Sequence, residues 1–150
     1  MQSPVSGTSS GKGLERGHPA LFAALRLSVA AVWIYEGLWL KILHPSPHEL
    51  AVMRSVTVGA LPPSRLLFLI GCGEILLGLG VLSGLYPRFL AWFQGIILVL
   101  MNGIGILFAG QAIGDPIGLV IHNLPFLLCI AVLGAYSPSP RTRRPVARQP

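Results

Sequence analysis

Residues 66–82 read LLFLIGCGEILLGLGVL, a nearly continuous apolar run that indicates the class of fold. Glu74 is its one charged residue, and its length approaches the roughly 20 apolar residues with which an α-helix crosses about 30 Å of hydrocarbon. Other stretches have the same character, and the predicted spans lie at about 19–43, 65–85, 88–109 and 117–136. The sequence therefore predicts an all-α, polytopic membrane protein built as a bundle of four transmembrane helices.

The composition of the whole chain supports a membrane environment. Of its 150 residues, 53% are apolar and 11% are charged, whereas a soluble domain carries roughly 25% charged residues. A water-soluble fold of this composition would have too little polar surface to cover its core. Residues 1–18 and 137–150 are rich in Ser, Gly, Pro or charge and lack an apolar period, so both are predicted to be disordered tails.

The longest predicted loop, residues 44–64, contains a helix-start signal. Ser46 and Glu49 have the spacing of a capping box, and Pro47 occupies the first helical position between them. A short helix should therefore run from Pro47 to about residue 58. We expect it to rest on the membrane surface.

The basic residues predict the orientation of the chain. The side that holds both termini carries seven of them: Lys12, Arg16, Arg88, Arg141, Arg143, Arg144 and Arg148. The opposite side carries three, namely Lys41, Arg54 and Arg65, while Arg26 lies within a span. Because an excess of Lys and Arg marks the cytoplasmic side, both termini are predicted to be cytoplasmic. The arginine-rich tail holds no aromatic residue and follows an apolar helix, which favours contact with anionic lipid over nucleic acid.

Polar side chains inside the spans are the candidate functional residues, because such groups are rare in hydrocarbon and usually face a bundle interior. Counted from the outer helix ends, one layer lies roughly 8–13 Å deep; it consists of Glu36, Glu74, Asn102 and His122. Arg26 and Gln94 form a second layer at roughly 24 Å. Trp33 shares a stripe with Arg26 and is predicted to belong to the core or to a pocket wall. His122 shares a stripe with Gly118, which predicts that it faces inward.

Two interpretations of the outer layer remain open. Its side chains can be hydrogen-bonded glue that holds the helices in register. Asparagine and glutamine would serve that purpose without an ionisable group, which costs about 2.5–3.5 kcal/mol at the bilayer centre in the case of aspartate. Two glutamates and a histidine therefore favour proton or ligand chemistry. A metal site is not predicted, because no HxxxH or ExxH pair lies within a span. Lys41 is interpreted as a snorkelling anchor, although His122, Arg26 or Lys41 could supply a cation between two close glutamates.

Residues 26–45, RLSVAAVWIYEGLWLKILHP, resemble the opening of the DoxX-like family of bacterial four-helix membrane proteins. The specific feature is the spacing of Arg, Trp, Glu-Gly, Lys and His-Pro. Glu49, the GCGE of residues 71–74 and His122-Asn123 extend the resemblance to residues of about 20–135. It implies a bundle in the bacterial inner membrane. Some members of the family are small subunits of a thiosulfate:quinone oxidoreductase, and others resemble a membrane tail fused to an NAD(P)-binding domain.

The resemblance implies a membrane component of an oxidoreductase system. In that case the outer layer suggests a quinone or proton site, and a redox partner protein or the quinone would carry the electrons, since the chain has no GxGxxG motif. Whether the chain is itself an enzyme is left open. Two alternatives remain: a small-solute or proton-coupled transport protein that uses both polar layers, and a structural membrane anchor whose polar side chains only fix the packing.

Overall fold

The computed structural model describes residues 19–56, 61–110 and 113–136, and the regular structure in these ranges is helical. The helices are α1 (Pro19–Leu43), α2 (Pro47–Val56), α3 (Pro63–Ser83), α4 (Pro87–Ala109) and α5 (Pro116–Tyr136). Each begins with a proline, whose fixed φ and missing N–H suit a first helical turn. Both predicted tails and the predicted end of α2 near residue 58 lie outside the described residues.

Four of these helices are long and apolar enough to cross a membrane. α1, α3, α4 and α5 have 25, 21, 23 and 21 residues, which gives lengths of roughly 30–37 Å. Their outer surfaces are apolar, as shown by Trp92 and Leu107, which are 76% and 79% exposed. Because a soluble protein does not expose apolar surface on this scale, the environment of the bundle is a lipid bilayer. The predicted all-α, four-span fold is confirmed.

The helices pack in two pairs. α1 lies along α3, α4 lies along α5, and α1 also touches α5, while α2 lies against α3 and α4. The pairs meet in a core to which all four long helices contribute: Val29, Ala30, Trp33, Leu77, Val81, Ala91, Ile130 and Leu133. This core joins the pairs near the end of the bundle where α3 turns into α4 and where α5 ends.

Glycines bring the backbones of α1 and α3 into direct contact. A Cβ atom added to Gly71 would lie 2.7 Å from the carbonyl oxygen of Gly37, and one added to Gly37 would collide with the carbonyl oxygen of Gly71. Further along, a Cβ at Gly78 would lie 2.6 Å from Cγ1 of Ile34. Small residues permit such close crossing where lipid supplies no hydrophobic drive to associate. The crossing holds Glu74, on the face of α3 between these glycines, against α1.

The second part of α1, Tyr35–Leu43, is a π-helix. Its wider turn continues to the end of the helix, where the backbone N–H of His44 donates to the carbonyl oxygen of Trp39 over 2.9 Å. π-Helical turns are rare and occur often at functional sites. Here the segment carries both charged side chains of the outer half of α1, Glu36 and Lys41.

Candidate functional site

The ammonium group of Lys41 lies among three carboxylates. Its Nζ atom is 2.9 Å from Oε2 of Glu74, 3.4 Å from Oε2 of Glu36 and 4.0 Å from Oε1 of Glu49. The residues come from three elements: the π-helical segment of α1, the start of α2, and α3. We refer to Lys41, Glu36, Glu49 and Glu74 as the Lys41 centre.

The side chains of the Lys41 centre differ in their exposure to the surroundings. The side chain of Glu74 is 4% exposed and that of Lys41 is 9% exposed, whereas Glu36 reaches 43%. Among the described residues, Glu74 Oε2 accepts no hydrogen bond of good geometry, so its contact with Lys41 is primarily electrostatic. Three carboxylates facing one ammonium group leave an excess of negative charge when all are ionised. A cluster of charged side chains is rare within the apolar part of a membrane protein and is a candidate functional site.

The π-helical geometry explains how Glu36 and Lys41 meet. Residues five apart on an α-helix point about 140° away from each other, which would separate the two side chains. The wider π turn brings them to one side, where Lys41 Nζ donates to Glu36 Oε2. The snorkelling position that the sequence suggested for Lys41 is therefore not the one observed.

The capping box of α2 positions Glu49. The backbone N–H of Glu49 donates to Oγ of Ser46 over 3.1 Å, and the backbone N–H of Ser46 lies 3.5 Å from Oε2 of Glu49. This predicted motif is confirmed. One carboxylate oxygen of Glu49 caps the helix while the other faces Lys41, so the same side chain couples α2 to the centre.

An aromatic pair lies on the same segment of chain as the Lys41 centre. The rings of Trp39 and His44 have centroids 4.1 Å apart with an angle of 34° between their planes. Both residues are exposed at the outer surface of the bundle. The two tilted rings form an exposed aromatic pair at the end of the helical segment that also carries Glu36 and Lys41.

Trp33 and Gln94 form a second, deeper polar contact. Trp33 Nε1 donates to Oε1 of Gln94 over 2.7 Å, both residues are buried, and Gln94 Nε2 donates to the carbonyl oxygen of Leu90. Arg26 and Gln94 line one cavity of about 20 Å³ near Gly84, enough room for about one water molecule. The structure thus brings Arg26 and Gln94, the two residues of the predicted deeper layer, to one cavity.

Asn102 and His122 have other partners. Oδ1 of Asn102 accepts from Nδ2 of Asn123 over 3.0 Å, a contact that joins α4 to α5. His122 is exposed on α5, and its Nδ1 lies 2.7 Å from the carbonyl oxygen of Gly118 in the same helix. The inward direction expected for His122 is corrected, because the buried residues of α5 are Ile130, Leu133 and Gly134. Of the predicted outer layer, Glu36 and Glu74 therefore meet, with Lys41 between them.

Glu49 is a site residue that the sequence analysis did not identify, and Lys41 was named there only as one of three possible cations between the glutamates. Lys41 was assigned to the membrane surface by its place at a helix end, and Glu49 was explained by the capping box alone. Lys41 lies in the stretch that carries the family resemblance and Glu49 extends it, and they follow Glu36 by five and thirteen residues. That spacing is the signal that could have indicated a joint role.

A model described as the DoxX-like family matches residues 30–131, which is more than half of the chain. The match includes the whole Lys41 centre and both partners of the Trp33–Gln94 contact. No curated protein and no solved structure is significantly similar to the chain.

Proposed function

Because the chain belongs to the DoxX-like family, we propose that it is a membrane component of an oxidoreductase system and that its Lys41 centre binds a quinone head group and exchanges protons with it. The observation that carries the proposal is the single buried ammonium group among three carboxylates. A redox partner protein would supply the electrons. In bacteria the membrane concerned would be the inner membrane, with both termini in the cytoplasm.

The charge of the centre suits proton exchange. Reduction of a quinone to a quinol consumes protons as well as electrons, so a quinone site needs groups that can deliver them. Three carboxylates around one ammonium group give the centre several side chains that can carry a proton. Carboxylates are competent general acids and bases when they lie within hydrogen-bond reach of the reacting oxygen.

The difference in exposure between Glu36 and Glu74 also suits proton exchange. Glu36 is partly exposed, which allows protons to enter from the membrane surface, whereas Glu74 is enclosed between α1 and α3. Lys41 bridges the two and can donate a hydrogen bond to a carbonyl oxygen. The exposed Trp39–His44 pair offers a surface on which a flat ring can stack.

A binding titration tests this proposal. The purified full chain in nanodiscs is titrated with a short-chain benzoquinone, and binding is followed by quenching of tryptophan fluorescence. Glu74→Gln removes a charge and retains the shape of the side chain. We expect it, and likewise Lys41→Gln, to weaken binding by about tenfold or more, as for the loss of a charged hydrogen-bonding partner.

His122→Ala is the matched control, because His122 is exposed and bonded within its own helix. It should bind the quinone as the wild type does. Thermal unfolding of each variant separates loss of binding from loss of fold. A wild type that shows no saturable binding, with Glu74→Gln changed only in stability, would leave the Lys41 centre as a structural element of an anchor and reject the proposal.

A further inference from the structure

A groove between α4 and α5 is left unused by the proposed function. It encloses about 710 Å³ and is open toward the surrounding lipid. Arg88 lies at one end, and the rest of the lining is apolar or small. Representative lining residues are Ala91, Trp92, Gly95, Val99, Leu127 and Ala131.

Small side chains create this groove. Near its Arg88 end the helices touch, since a Cβ atom added to Gly134 would lie 2.5 Å from Cβ of Ala91. At Gly95 the space is open, because an added Cβ would meet only Cδ1 of Leu127, at 3.6 Å. The two helices therefore remain in contact near Gly134, while the groove stays open beside Gly95. A larger residue at Gly95 would fill the groove without forcing the helices apart.

The length of the groove matches one leaflet of a membrane. It extends along α4 from Arg88 to Leu100, which corresponds to roughly 18 Å of helix. The hydrocarbon core measures about 30 Å, so one leaflet contributes about 15 Å. An acyl chain that enters beside Arg88 would fill the groove and end near the middle of the bilayer.

The charge at the Arg88 end is positive and unbalanced among the described residues. Arg88 is exposed and lies in the first turn of α4. The guanidinium group of Arg26 lies at the same end, with Nη1 2.7 Å from the position of a Cβ on Gly84. The described carboxylates belong to the Lys41 centre and to Asp115 at the start of α5, at the other end of the bundle. Anionic lipid headgroups are attracted to such basic positions beside the membrane.

We propose that this groove binds one acyl chain of an anionic phospholipid and that Arg88 holds its phosphate and headgroup. The apolar lining of the groove explains why an acyl chain would bind there. The length of the groove explains why the acyl chain would lie in one leaflet, and Arg88 explains why the headgroup would be anionic. This proposal is independent of quinone binding at the Lys41 centre.

Native mass spectrometry of the delipidated full chain in detergent tests the proposal. The probes are phosphatidylglycerol and phosphatidylcholine with identical palmitoyl and oleoyl chains. We expect the wild type to prefer phosphatidylglycerol by about fivefold, the effect of one arginine at an anionic surface. With Arg141, Arg143, Arg144 and Arg148 replaced by Gln in every variant, so that the tail contributes no charge, Arg88→Gln should abolish this preference. Arg65→Gln, an exposed arginine at the start of α3, should retain it.

Filling the groove tests the acyl-chain part. Gly95→Leu should reduce binding of both lipids, whereas Gly103→Leu on the same helix should not, because an added Cβ at Gly103 meets no atom within 4 Å. Equal binding of the two lipids by the wild type would overturn the proposal, as would equal behaviour of the two leucine variants. A dimer that Gly95→Leu dissociates, with lipid binding unchanged, would show that a second copy covers the groove and would also overturn it.

Discussion

Removing the Lys41 ammonium group should destabilise the bundle, because Glu74 would lose the cation 2.9 Å away inside a helix interface. Breaking one partner of a buried ion pair costs about 3 kcal/mol or more, since the remaining charge stays buried without compensation. Lys41→Met retains most of the side-chain volume and isolates the charge effect. Its thermal midpoint in detergent should fall clearly below that of the wild type.

The double variant Lys41→Met/Glu74→Gln is the control for the stability loss of Lys41→Met. It removes both charges of the pair and should recover stability to within about 1 kcal/mol of the wild type. Such recovery would show that the cost came from an unpaired carboxylate and not from lost packing. If the stability losses of the two single variants simply added in the double variant, the two side chains would not be coupled, and the short Lys41–Glu74 distance would not reflect a stabilising interaction.

At the scale of the helices, the crossing of α1 and α3 determines whether the centre forms. Gly71→Ala places a methyl group 2.7 Å from the carbonyl oxygen of Gly37, so the backbones must separate. Overpacking of this kind costs typically 1–3 kcal/mol, so we expect a loss of about 2 kcal/mol. The separation would also move Glu74 away from Lys41. Chemical denaturation in mixed micelles measures the loss.

Gly73→Ala is the comparison for this prediction. Gly73 lies two residues away on the same helix, and a Cβ added there meets no atom within 4 Å. The alanine should be neutral or slightly stabilising, by up to about 1 kcal/mol from helix propensity. Equal losses in the two variants would contradict the close crossing.

The helices differ in how far the sequence predicts them. Apolar runs of about twenty residues are a local signal, and they predicted the four helices that are long and apolar enough to cross a membrane. The π-helical segment is not local, because it depends on how α1 fits against α3 at Gly71. The predicted stripes rest on α-helical turns, on which Glu36 and Lys41 point about 140° apart. On α5 a stripe of small residues pointed His122 inward, but lipid and a bundle interior are both apolar, so the stripe could not decide the face.

At the scale of the whole molecule, the even number of spans has a direct consequence. Four membrane crossings return the chain to the side on which it began, so both ends of the bundle's chain share one side of the membrane. The Lys41 centre and α2 lie at the opposite end from the α3–α4 turn that carries Arg88. The excess of basic residues on the Arg88 side predicts that this side is cytoplasmic, and we therefore expect the Lys41 centre to face the periplasm.

Cysteine labelling should reveal this orientation. In a background with Cys72 and Cys129 replaced by alanine, His48→Cys adds a thiol at the exposed start of α2, and Ser139→Cys adds one to the tail. A membrane-impermeant maleimide should label the first in intact spheroplasts and the second only after lysis, because the reagent cannot cross the bilayer. Labelling of both before lysis would contradict the three crossings, by α3, α4 and α5, that separate the two thiols. The reverse pattern would place the Lys41 centre on the cytoplasmic side, where its protons would come from the opposite compartment.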